Sequence, residues 1–356
     1  MPVFSGLAIS LVLTSACVAQ TPSPTPAPVP APARATSYVA ATRGVIDDDK
    51  SYAPHIEKPA YEKEGPPVLL DEAHRNLPLN LGLVRLLTAD GYRIEHAKSA
   101  FTYEGLSQAK VLVIVNPGML RSRQSLDHPE PLFTEAESAA IHDWVAGGGA
   151  LLIAFNSMTS DVTAVLRRFQ VEFNSDFVFD EGLRDPGADP HGPMNSKVFS
   201  GDTQLLSTHK VIAGRAESER VRKIALGGVS VVQQAPENAS PLLRCSEKAT
   251  LLQRDALQMK ELEAATAPGQ ANPPRDFKSS VSPARAPVRA AHAPAAIAFT
   301  LGKGRVVMVS NGMFLSALVS QIALNGQSAT QRTGLAEADN QQFTLNIMHW
   351  LSGLID

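Results

Sequence analysis

The chain has 356 residues, enough for one large domain or two small ones, and its 44% hydrophobic content is that of an ordinary globular protein. Its formal net charge of -3, with no long basic cluster, argues against a nucleic-acid partner. With only two cysteines, Cys17 and Cys245, neither a disulfide framework nor a cysteine metal cluster is expected.

Residues 1–19 read as a secretory signal: Val3 to Leu13 is apolar and small residues follow. The run is too short for a comfortable membrane span, and no Lys or Arg precedes it. Two processing routes fit. "TSAC" places small residues before Cys17, as in a lipoprotein signal that would lipidate Cys17, although Thr14 stands where such signals carry Leu. Ordinary cleavage after Ala19 would instead discard Cys17. Residues 20–64 read as a tether and polar extension. "TPSPTPAPVPAPARAT" favours extended polyproline II and cannot build a core. "IDDDK" reads as a solvated face. The expected address is the periplasm or cell envelope, by a membrane anchor if Cys17 is lipidated.

From residue 65 to 356 a strand–helix alternation predicts one α/β domain. "PVLLD" is a strand, "LNLGLVRLLTADG" a helix, "YRIEHAK" a strand and "YEGLSQA" a helical turn or two. "KVLVIVNPG" is a continuously apolar strand. "FTEAESAAIHDWVAGGG" is a helix that opens on a capping box, Thr134 with Glu137, and ends in glycines. "ALLIAFNS" and "DVTAVLRRF" add a strand and a helix. Continuously apolar strands fit a parallel sheet covered on both faces. "KIALGGVSVVQQ" and "SPLLRCS" continue the strands. Residues 257–294, rich in Ala, Pro, Arg and Ser, read as a mobile insertion. Gly302-Lys303-Gly304 turns a hairpin, and "DNQQFTLNIMHWLSG" closes the chain with a helix whose Phe343, Ile347, Trp350 and Leu351 share a stripe.

"LLDEAHRN", "VLVIVNPG", "FTEAESAAIHDWVAGGGALLIAFNS", "STHKVIAG", "GKGRVVMVSNGMFL" and "DNQQFTLNIMHWLSG" occur in this order. Together they resemble bacterial proteins of the class I glutamine-amidotransferase-like superfamily, in the branch shared with gliding-motility-type transporter subunits and intraflagellar-transport proteins. The resemblance covers roughly Pro66 to Asp356 and implies a flavodoxin-like sheet. Enzymes of that superfamily carry a cysteine nucleophile on a sharp strand-to-helix turn. Here the matching strand end reads Asn156-Ser157-Met158, and no Gly-x-Ser-x-Gly elbow occurs. The resemblance therefore does not carry that chemistry over.

Ligands of open parallel sheets bind beyond the carboxyl ends of the strands. That rule gathers Asp71, Glu72, His74, Asn76, Asn116, Asn156, Ser157 and Asn311, with His209 in "STHKVIAG" expected to precede a strand that meets the crevice. Two readings stand side by side: a small-ligand site, or short polar side chains that satisfy their own loops. A hydrolase would use Asp71 to orient His74, His74 as base and Ser157 as nucleophile. Asp71, His74, His191 and His209 lack any metal-ligand spacing, and neither metal nor cofactor is expected. The favoured expectation is a non-catalytic module that binds a small molecule or an envelope protein.

Overall fold

The computed structural model describes residues 43–76, 78–118, 131–155, 162–174, 176–183, 197–252, 288–324 and 327–356. The expected signal sequence with Cys17, the Pro-Ala tether, Asn156, Ser157, His191 and most of the expected insertion lie outside them. The described residues form one compact unit.

In chain order the strands are β1 (Arg43–Asp48), β2 (Pro67–Asp71), β3 (Arg93–Ala97), β4 (Val111–Val115), β5 (Ala150–Ala154), β6 (Glu172–Phe173), β7 (Phe177–Phe179), β8 (Lys197–Ser200), β9 (Lys223–Leu226), β10 (Val232–Gln234), β11 (Ser240–Arg244), β12 (Thr250–Leu252), β13 (Val288–Arg289), β14 (Pro294–Leu301), β15 (Gly304–Val309), β16 (Ala317–Leu324) and β17 (Gln327–Gly334). The helices are α1 (Leu81–Ala89), α2 (Tyr103–Leu106), α3 (Glu135–Ala146), α4 (Thr163–Arg168), α5 (Lys210–Ala213) and α6 (Asn340–Ser352).

The main sheet has seven strands in the order β11-β14-β15-β5-β4-β2-β3. β3, β2, β4, β5 and β15 run parallel; β14 is antiparallel to both β15 and β11. The protein is thus mixed α/β with a large, mostly parallel sheet. Alternating side chains explain the continuous apolar runs. Val111 and Val113 enter one core with Leu83 and Leu87 of α1 and Phe343 and Ile347 of α6. Leu112 and Ile114 enter the other, with Leu106 of α2, Ile141 and Trp144 of α3 and Val165 of α4. Each such buried side chain contributes about 1.5–3 kcal/mol. The helices lie on both faces, as the strand composition requires.

α3 forms as its sequence dictates. Thr134 Oγ1 accepts from the Glu137 N–H, and Glu137 Oε2 accepts from the Thr134 N–H at 2.9 Å. Gly147 closes the helix, and Gly148 takes φ +123°, open to glycine without strain. The glycine run is a helix stop.

Three expectations change. First, residues 43–64 belong to the domain rather than to an extension. β1 pairs with β16. Asp49 is buried and bonded to Arg332 Nε at 2.8 Å, so "IDDDK" is only partly a solvated face. Beyond it the chain is strapped down by side chains that satisfy its backbone. Arg85 Nη1 donates to Lys50 O and Tyr52 O, Gln341 Nε2 donates to His55 O, and Asp90 accepts from the Ala60 N–H. Second, the hairpin of β16 and β17 carries no alternating apolar pattern in its second strand and is not legible in the sequence. Third, Val288–Arg289, inside the expected insertion, form a strand that pairs with β12.

α6 is fixed by a polar device. Asn340, fully buried, donates to Ala225 O at 2.8 Å and accepts from the Ala225 N–H at 3.0 Å, so its amide substitutes for a strand partner of β9.

Candidate functional site at the carboxyl ends of the sheet

The chain runs from β2 outward to β3, then returns across β2 to β4. The switch in direction lies between β2 and β4, and a crevice is expected outside their carboxyl ends. A small pocket, partly open to solvent, occupies that place. Asp71, Asn76 and Asn116 line it as expected, with Asn80, Met313 and Ser316. Its interior has room for about one ordered water.

The polar groups around it are largely spent on one another. Asp71 is 2% exposed; its Oδ1 accepts from the Ala73 N–H and bonds His74 Nδ1 at 2.8 Å, and its Oδ2 accepts from Asn76 Nδ2 at 3.2 Å. Asn76 also donates to Val115 O at 3.0 Å and accepts from the His74 N–H. The His74 carbonyl accepts from the Gly118 N–H, tying the loop after β2 to the loop after β4.

His74 Nε2 meets Glu137 Oε1 at 3.0 Å. The same oxygen accepts from the Phe101 N–H, and the ring stacks on Phe133 and on Phe101, with centroids 4.1 and 4.9 Å away. Burial alone would push the imidazole pKa down. The bonds and charges of Asp71 and Glu137 outweigh burial and hold it above its ordinary value. For Glu137, burial would raise the carboxyl; the Thr134 cap bonds, His74 and the Phe101 N–H together bring it below its ordinary range. With a carboxylate oxygen at each ring nitrogen the arrangement favours the doubly protonated ring, and neither nitrogen is turned to the crevice.

The other expected residues divide. Glu72 binds the exposed His96 Nδ1 at 2.7 Å and lies only loosely near Asn80. Asn311 is buried but holds its own turn: it donates to Gly228 O and accepts from the Met313 N–H. Asn116 is buried at φ 44°, donates weakly to Met313 Sδ and leaves Oδ1 without a hydrogen-bond partner among the described residues. A Cβ on Gly312 would stand 2.4 Å from that oxygen, so only glycine fits there.

His209 is a correction. It caps the short helix α5, with Nδ1 accepting from the Val211 N–H, instead of preceding a strand. Its ring meets Trp350 edge-on, and burial followed by the charge of Arg305 lowers its pKa. Arg305 is the second residue of β15, so His209 lies at the end of the sheet opposite the crevice. A second buried pair, His349 Nε2 with Asp90 Oδ2 at 2.8 Å, also sits at the end where β3 begins. Glu137 escaped the sequence reading because its capping box already explained it. The available signal was topological: α3 follows β4, so its first turn lies at the carboxyl rim, beside the loop after β2.

No family model and no curated protein matches the chain. Solved structures do. The mmIFT52 N-terminal domain superposes with a TM-score of 0.50 at 13% identity, over 80% of this chain and 97% of that one. The likeness is one of fold. A ThuA-like protein from Parabacteroides merdae gives 0.40 at 14% identity, over 81% and 90% of the two chains. A GMP synthase protein from Thermoplasma acidophilum gives 0.38 at 7%, over 81% and 94%.

Proposed function

We propose that this is an exported protein whose domain follows the flavodoxin-like plan of the class I glutamine-amidotransferase-like superfamily and serves as a non-catalytic binding or interaction module of the cell envelope. The observation that carries the reading is the occupation of both His74 nitrogens by Asp71 and Glu137. The hydrolase reading needs Nε2 free to take a proton from Ser157, and that nitrogen is engaged with Glu137. The pocket beside the network adds support, since its interior admits water more readily than a metabolite. Its partner is then an envelope protein, or a small molecule bound away from this network.

The apolar leader and the Pro-Ala run support export, with anchoring through Cys17 when it is lipidated. The test of function is a screen with ester and amide substrates of the wild-type chain beside His74→Ala and Ser157→Ala. The reading expects no turnover that depends on either residue. Turnover lost in both variants while each stays folded would overturn it. The anchor is tested by membrane fractionation of Cys17→Ser, which is expected to move to the soluble fraction.

A further inference from the structure

Exposed strand edges invite pairing with another chain, and most edges here are guarded. The outer side of β11 is covered: the Ser207 N–H donates to Leu242 O and the Arg244 N–H to Leu205 O, and Pro241 lacks a donor. β3 carries Arg93 and Glu95, paired with each other and with Glu64. β1 has a break of register between Arg43 and Ile46 and ends on two aspartates. The small sheets have strands of only two to four residues.

β17 has none of these protections. It pairs with β16 over eight residues without a bulge, from Ala317 opposite Gly334 to Leu324 opposite Gln327. No strand lies on its other side among the described residues. Its sequence, QSATQRTG, has no proline and one charge, Arg332, which is already bonded to Asp49. The Gly334 N–H is taken by Glu337, so the open stretch is Gln327 to Thr333.

We propose that β17 pairs antiparallel with β17 of a second copy of this chain, joining two three-stranded sheets across a two-fold axis. The strand is self-complementary. The Leu335 N–H faces β16 and the Gly334 N–H faces away, so those of Thr330 and Arg332 also face outward. Centred on Thr330, the pairing sets Thr330 against its own copy and Arg332 against Ser328. Hydroxyls then meet, and no like charges face each other. A charged partner segment would find no free charge along the strand. Among the described residues the sheet has one open edge, since β1 guards the other, so addition closes at two copies and does not propagate. The pairing does not depend on the His74 network or on the reading of the crevice.

The test uses the full chain with Cys17→Ser, leaving only the buried Cys245. Under mild oxidation, Thr330→Cys, which faces its own copy, is expected to give a disulfide-linked dimer, and Glu62→Cys, exposed on the strap, is not. In sedimentation experiments the unmodified chain is expected to double its mass as concentration rises. Thr330 directs its N–H outward, away from β16, so Thr330→Pro removes an outward donor only. That variant is expected to remain folded by circular dichroism and to stay monomeric. A chain monomeric at every concentration, or equal cross-linking at residues 330 and 62, would overturn the proposal.

Discussion

Replacing His74 with Ala should be among the most damaging single substitutions at the carboxyl rim. The imidazolium supplies a charge-assisted hydrogen bond to each of two carboxylates, and Asp71, His74 and Glu137 are 2%, 5% and 5% exposed. Such bonds contribute about 1.5–3 kcal/mol each, so the two together reach about 3–6 kcal/mol. Removing one partner from a buried ion pair costs about 3–5 kcal/mol by a separate route. Both figures point to a loss of about 3–5 kcal/mol, a large part of the roughly 5–15 kcal/mol that holds a domain together. Urea unfolding followed by circular dichroism reads the loss as a lower midpoint with an unchanged slope. His74→Phe keeps the stack with Phe101 and Phe133 and should still lose the charged bonds, which separates the two contributions. The pH dependence has a fixed sign. The His74 pKa is higher folded than unfolded, so its contribution is full below about 6.5 and fades as pH rises through the folded value. The Glu137 pKa is lower folded, so its contribution is present above about 4.3 and is lost as pH falls through the folded value. Stability should therefore decline on both sides, and the alkaline decline should vanish in His74→Ala. A loss under about 1 kcal/mol, or an alkaline decline that persists in the variant, would show that the two carboxylates do not hold a charged ring.

Other expectations follow from neighbouring parts of the molecule. Burial, followed by the charge of Asp180, pushes the Cys245 thiol up to about 12, so a thiol reagent should label it only as fast as the domain unfolds. Thr134→Ala removes the cap that orients Glu137 and should cost about 1 kcal/mol by urea unfolding. A chain beginning at Gly65 loses β1, the Asp49–Arg332 pair and the strap, and its melting temperature should fall well below that of a chain beginning at Arg43.

The sheet was legible in the sequence where apolar period and helix signals agreed. "VLVIV", "ALLIA" and the capped helix from Thr134 state their own structure. β17 was not, because QSATQRTG contains no buried apolar series to reveal a strand. β1 and the strap escaped for a related reason: what holds them is side-chain hydrogen bonding from Arg85, Asp90 and Gln341, which leaves no periodic trace. At the rim, Asp71, His74 and Asn76 bond one another, since residues this close in sequence at one strand end cannot be far apart. His209 was misplaced because a four-residue helix after "STH" looks much like the start of a strand. Glu137 could be joined to His74 only once α3 was seen to start beside the loop after β2.

The chemistry of the rim turns on His74 being an imidazolium held from both sides. Nitrogen-15 NMR of the imidazole across neutral pH reads this state. Nδ1 and Nε2 should both carry protons through neutrality, and the ring should titrate above the ordinary histidine range. A neutral ring at pH 7, with Nε2 unprotonated and open to exchange, would contradict this and return His74 to the role of a base.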